Sequence, residues 1–339
     1  MKGWWWKGLS VVLLLYVVVV GLHTPLGPAL VHSSTLRLAP GPISLDATGY
    51  NTHFKSQTPQ VWLENEGQRV CASSVEVRSD VSFTATFTVP EGFRGNLTSL
   101  WAWDHTDGPI VLRDAFFTEG LGQGMAGESC QVPDAPRAAF AFPNRTILNE
   151  TIRNLFFHVP MWFTMMVLMT IAFVQSLLVL RKGDLAHDRM ALSAVDVSLL
   201  FAGLGLITGS IWARATWGGW WTSDPKLNGA AVTVLIYAAY LILRGSVPDP
   251  HKRARLAAIY NIFAYVLMMV FLMVLPRLTD SLHPGNGGNP AFSQYDLDSS
   301  LRAVFYPAVL GWILLGVWAY TLHLRVARLK SIADEANDR

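Results

Sequence analysis

The sequence predicts a mainly α-helical, polytopic membrane protein with six transmembrane helices and a periplasmic β-sandwich-like domain inserted after the first. Three observations predict this. Of 339 residues, 51% are hydrophobic and only 15% are charged, with a mean hydropathy of +0.32, too little polar surface to cover a soluble domain. The ionisable residues are unevenly spread and leave long apolar runs, each near the ~20 residues that cross a bilayer as a helix. Residues 24–150 depart from this pattern, being rich in Pro, Gly, Ser and Thr and lacking helical periodicity.

In chain order the spans are read at 5–22, 155–180, 190–212, 228–243, 257–275 and 303–324. The first has Lys2 before it and Lys7 in its first turn and also fits a signal peptide, but no small-x-small site follows Gly21, so residues 1–23 are expected to stay as an anchor. Within 24–150, VEVRSDVSFTATFTVP (Val75–Pro90) alternates Val, Phe and Thr around a turn, as two strands do. The segment is long enough for its own core, and a β-sandwich is expected. It holds the only two cysteines, Cys71 and Cys130. An oxidising compartment would join them, two buried thiols being the other reading. No CxxC spacing points to a metal or thiol-redox site. Residues 151–330 form the five-helix membrane domain, with a Trp-rich loop at 213–227, and 331–339 a tail.

Lys and Arg set the orientation. Arg181, Lys182 and Arg189 follow span two, Arg244, Lys252, Arg253 and Arg255 follow span four, and Arg325, Arg328 and Lys330 follow span six. With six spans these lie on one side, which places both termini in the cytoplasm and the 24–150 segment outside. No Walker A sequence, GxSxG or HExxH occurs, and the short basic clusters match topology and not nucleic acid.

The outer face then collects sequence-distant residues. WGGWWTSDPK spans Trp217–Lys226, His158 opens span two in RNLFFHVPMWF, and His283 lies before span six in LTDSLHPG. Two imidazoles beside so much indole suit a large flat ligand whose metal takes axial nitrogens, and haem fits. Gly218 and Gly219 would allow close backbone approach. Lys226, Arg153 and Arg277 are candidate propionate contacts. Each residue also has a plainer reading. Interfacial Trp residues form aromatic belts, a single His is commonly structural, and Lys or Arg snorkels to headgroups. Asp196, within span three, is costly if it faces lipid.

WGGWWTSDPKLN resembles the tryptophan-rich signature of the WWD haem-handling superfamily. IRNLFFHVPMWF and SLHPG are similar to its two axial-histidine segments. Six spans with two outer histidines resemble its cytochrome c maturation protein C family over about residues 150–330. The family often has an aromatic residue where Ser223 stands, and its compact form has no counterpart of 24–150. The resemblance implies a non-enzymatic carrier in the bacterial inner membrane, with the WWD loop periplasmic. It implies haem b bound transiently, with His158 and His283 as axial ligands. Trp217, Gly218, Gly219, Trp220, Trp221, Asp224, Pro225 and Lys226 would meet haem and a periplasmic haem chaperone. The implied partners are that chaperone, ABC transporter permease and ATPase subunits, a small single-span subunit and membrane lipid, with no nucleic acid. A haem lyase attaching haem to apocytochrome and a non-haem transporter scaffold are the alternatives.

Overall fold

A computed structural model describes residues 3–34, 37–65, 68–90, 97–118, 140–145, 148–279, 281–283 and 297–337. The chain divides into two compact units, Met1–His23 with Thr151–Arg339, and Thr24–Glu150.

The Thr24–Glu150 unit is all β among its described residues, apart from the first turn of a 3-10 helix. Its strands are β1 (Ala29–Ser33), β2 (Arg37–Leu38), β3 (Gly41–Tyr50), β4 (Gln60–Asn65), β5 (Gln68–Cys71), β6 (Ser74–Ser79), β7 (Ser82–Val89), β8 (Leu97–Asp104) and β9 (Gly108–Thr118). They form two sheets, ordered β1-β3-β7-β6 and β2-β9-β8-β4-β5. The hairpin read at Val75–Pro90 is β6–β7, with Val77 opposite Phe83. Alternate residues of both sheets, among them Leu45, Phe83, Phe87, Leu63, Leu100 and Phe116, share one buried core, which makes the unit a sandwich. Cys71 is disulfide-bonded; Cys130 lies outside the described residues. Cys71→Ser is expected to lower the stability of this unit by about 2–4 kcal/mol, because the bond restricts the unfolded chain. Chemical denaturation of the wild-type and variant proteins, followed by Trp fluorescence, checks this.

The other unit is helical. It comprises α1 (Trp5–His23), a 3-10 turn (Asn149–Phe156) leading into α2 (His158–Lys182), α3 (Leu185–Trp217), α4 (Pro225–Ser246), α5 (Pro250–Met269), a π-helical turn (Val270–Val274), α6 (Leu275–Leu278) and α7 (Ser299–Asn337). Six of its helical segments are long and apolar enough to cross a membrane, as expected of a multi-pass membrane protein. The helices outrun the apolar windows because caps, not hydropathy, set their ends. Asp184, Asp224 and Asp249 each accept a backbone N–H of the helix that follows, and Pro225 and Pro250 stand at the first helical position, where no donor is lost. The fourth span, the shortest by hydropathy, thus has 22 residues. Pro276 lacks the N–H that would continue the ladder, just after α5 loosens into its π turn. The last helix does not stop at 324 but continues to Asn337, so most of the tail read at 331–339 is helix.

Packing uses small residues where backbones approach. The α1 helix lies on α7, where Ser10 Oγ donates to the Gly311 carbonyl at 2.9 Å. On α3, Gly205 and Gly209 make a groove for α2: a Cβ at these positions would stand 2.8 Å from Trp162 and 2.6 Å from His158. Trp162 and His158 are themselves one turn apart, so the two helices mesh as a pair of rings against a pair of glycines. Arg244 forks onto Asp188 at 2.6 and 2.7 Å, joining α4 to α3 in a buried pair. Asp196 Oδ2 lies 3.6 Å from His323 Nε2 of α7, so its carboxyl group faces an imidazole across helices.

Candidate functional site

His158, the first residue of α2, and His283, in the loop after α6, line one cavity of about 290 Å³. Its walls are mostly apolar, with Trp162, Phe163, Met166, Leu272, Met273 and Trp221 among them, while Lys226 and Arg277 supply positive charge. This is the composition of a site for a large apolar ligand carrying anionic groups.

Each imidazole is fixed through one nitrogen. His158 Nδ1 lies 3.0 Å from the Gly205 carbonyl and 3.2 Å from Thr208 Oγ1. Because a carbonyl only accepts, Nδ1 carries the proton, and in the neutral ring Nε2 keeps its lone pair. Trp162 meets the ring edge-on at 6.3 Å. His283 Nδ1 donates to Asp224 Oδ1 at 3.0 Å, which again leaves Nε2 as the basic nitrogen. Two indoles hold the His283 ring, Trp217 edge-on at 5.0 Å and Trp212 tilted at 5.8 Å. Burial lowers the His283 pKa, and Lys226 adds to this against the pull of Asp224, so the neutral, ligating form is favoured.

Asp224 is the hub. Its carboxylate accepts four hydrogen bonds: from Ser281 Oγ at 2.8 Å, Leu282 N at 2.7 Å, Lys226 N at 2.9 Å and His283 Nδ1 at 3.0 Å. Burial alone would raise its pKa, but the bonds from Ser281, Leu282 and Lys226, with the nearby His283, outweigh it and hold the carboxyl below its usual value. One residue thereby caps α4 and fixes the loop that carries His283. The resemblance placed Asp224 and Pro225 among the residues that meet haem and the chaperone; the structure gives Asp224 an orienting role behind His283. A carboxylate behind the remote nitrogen of an imidazole is how metal-binding histidines are oriented.

The donor set therefore fits haem: two imidazoles, each held through Nδ1 and with no hydrogen bond to Nε2 among the described residues, on a cavity walled by aromatic and aliphatic side chains. Among the described residues no group of three or more His, Cys, Asp or Glu side chains is placed to hold a metal ion by itself, and a porphyrin, which brings its own four nitrogens, needs no such group.

The other predicted residues separate by position. Trp221 lines the cavity, and its Nε1 donates to Asn228 Oδ1 at 3.3 Å. Trp217 buttresses His283 and does not line the cavity. Trp220 is 61% exposed and turned elsewhere. Gly218 has φ +78° and ends α3 in the left-handed conformation, its carbonyl accepting from Arg214; it stops a helix, where the sequence had suggested close ligand approach. Arg153 does not line the cavity: its guanidinium donates to the Gly21 carbonyl at 2.8 Å. Pro284 and the residues to 296 lie outside the described residues.

Geometry and topology together define a class: a polytopic membrane protein with six candidate membrane spans and two histidines on one apolar cavity. Residues 140–283 match the cytochrome c assembly protein family. Within that class the chain is similar to heme exporter protein C, at 35% identity over 183 residues to that of Bradyrhizobium diazoefficiens, which covers 52% of this chain and 66% of the relative. Against heme exporter protein C of Paracoccus denitrificans it is 27% identical over 146 residues, 43% of this chain and 61% of the relative. A shorter match, 35% identity over 88 residues, covers 26% of this chain and 28% of the cytochrome c biogenesis protein CcsA of Prochlorococcus marinus. The chain thus spans under two thirds of the exporter relatives' length.

Proposed function

We propose that this protein is a haem-handling membrane subunit of c-type cytochrome maturation. In this reading it binds haem b at the periplasmic face of the inner membrane and presents it to a periplasmic haem chaperone, without catalysing attachment itself. The observation that carries the reading is the convergence of two oriented imidazoles, His158 and His283, on one apolar cavity. When bound, haem would supply an iron that takes nitrogen ligands. His158 would give the ligand fixed in a helix. His283 would give the ligand held on a loop, the easier of the two to exchange. Trp162, Phe163 and Trp221 would cover porphyrin faces, and Lys226 and Arg277 would meet propionates. The exposed Trp220 would face the chaperone. The distribution of Lys and Arg supports the orientation. The heme exporter names of its relatives support ABC transporter permease and ATPase partners, and the family resemblance a small single-span subunit.

The test is an absorption spectrum of the protein purified from haem-replete cells, followed by mixing with apo-chaperone. The expected result is a low-spin, two-imidazole spectrum, and haem then recovered on the chaperone. Haem appearing on an added apocytochrome with no chaperone present would favour a lyase. A colourless protein would favour a scaffold.

A further inference from the structure

The end of α7 remote from the cavity carries a surface that the proposed haem site does not use. Near the start of α1, Lys7 Nζ lies 5.3 Å from the centre of the Trp318 ring and 4.4 Å from that of Trp4, and Trp4 is exposed. Such a cluster of indoles and a cation suits a membrane–water boundary. Beyond Trp318, α7 continues without a break to Asn337, about 28 Å of helix at ~1.5 Å per residue.

Over Leu322–Ala333 the side chains sort by face. Leu324, Ala327 and Ser331, spaced by three and four, are the partly buried ones and mark the side toward the bundle. On the opposite side Leu322, Val326 and Leu329 are 47%, 52% and 67% exposed, and exposed Ala333 continues the row. Their four-three-four spacing is that of a coiled-coil seam, with Val326 and Ala333 at a and Leu322 and Leu329 at d. In that register His323 and Lys330 take the e positions along one edge, while Arg325 and Ile332 take g along the other. Arg325, Lys330 and Ile332 are all exposed, and so is Arg328 beyond them.

We propose that this stripe docks an α-helix of a partner protein, one with an apolar seam flanked by acidic residues. Charge selects that occupant. A second copy of this chain would set Arg325 and Lys330 against cations of the same kind, and like charges at flanking positions disfavour pairing. A lipid surface is disfavoured by continuity. Interfacial helices bury an apolar face by lying in the membrane plane, whereas this segment continues a candidate spanning helix without a break.

The experiment uses the full chain in phosphatidylcholine nanodiscs and two fluorescent, covalently stapled helical peptides about three heptads long. Both have Leu at a and d; one is flanked by Glu and the other by Lys. The Glu peptide is expected to bind at least about tenfold tighter than the Lys peptide, and to weaken as salt is added. Val326→Asp with Leu329→Asp should reduce its binding by roughly tenfold or more. Arg325→Glu with Lys330→Glu should reverse the preference between the peptides. Because these side chains are exposed, the variants leave the bundle's packing intact, and their haem content serves as the folding control. Absence of binding by the Glu peptide, equal binding of both peptides, or an unchanged preference in the Arg325→Glu, Lys330→Glu double variant would each overturn the proposal. A Cys placed at Val326 and protected from an impermeant thiol reagent by phosphatidylglycerol, but not by the Glu peptide, would overturn it in favour of a lipid contact. Concentration-dependent dimers would overturn it in favour of self-association.

Discussion

His283→Ala is expected to remove most co-purified haem. Losing a residue that only orients a metal ligand typically weakens metal binding by ~10–100-fold, so losing the ligand itself is expected to cost on the order of 100-fold or more. The physical basis is the Nε2 lone pair that Asp224 directs away from itself by holding Nδ1. Alanine leaves a space of imidazole size between Trp217 and Trp212, which flank the ring at 5.0 and 5.8 Å. Added imidazole should therefore enter and restore much of the Soret band. His158→Ala should lose haem similarly but respond less to imidazole, because its ring lies in the α3 groove at Gly205 and Gly209, where α2 and α3 are tightly meshed. Membrane insertion and helix content should be unchanged in both variants. Soret spectra of the two proteins, with and without imidazole, decide the matter. Wild-type spectra in either variant remove that histidine as a ligand.

The parts of this architecture that were legible in the sequence are those governed by local composition. Six apolar runs and one Pro/Gly/Ser/Thr-rich insert needed only hydropathy, and the β6–β7 hairpin needed only alternation. The two histidines stood out because the apolar runs between them bring both to one face. What escaped was set by contacts between distant segments. Nothing local says that Asp224 accepts from Ser281, Leu282 and His283, some 57 to 59 residues away. The Gly205–Gly209 groove was visible as small residues one turn apart in LGLITGS, and Trp162 sits one turn after His158. Only the antiparallel register of α2 and α3 matches these two pairs. Arg153 was misleading because position beside the membrane face does not fix direction, and its guanidinium serves a carbonyl at the end of α1. Helix ends were misplaced wherever an Asp cap and a Pro began the helix before its apolar run.

Asp224→Ser separates the two tasks of that carboxylate. Serine is as good an N-cap as aspartate, so its hydroxyl can still accept from the Lys226 backbone N–H and α4 should start where it does now. It is too short to replace the second carboxylate oxygen, which takes Ser281 Oγ and Leu282 N, or to reach His283 Nδ1 as well. The His283 ring then loses the acceptor that fixes its tautomer, and either nitrogen can carry the proton. Haem affinity is expected to fall by ~10–100-fold, the range typical of losing an orienting partner, with helix content close to wild type. Asp224→Ala should show the same haem defect together with a loss of stability of about 1–2 kcal/mol from the missing cap. Haem titration and thermal melts of both variants in detergent give the two readouts independently. Wild-type haem affinity in Asp224→Ser, alongside a destabilised Asp224→Ala, would reduce Asp224 to a helix cap. Weak haem binding in Asp224→Ser that added imidazole restores would identify the misdirected His283 ring as the cause, because the exogenous ligand needs no carboxylate to orient it.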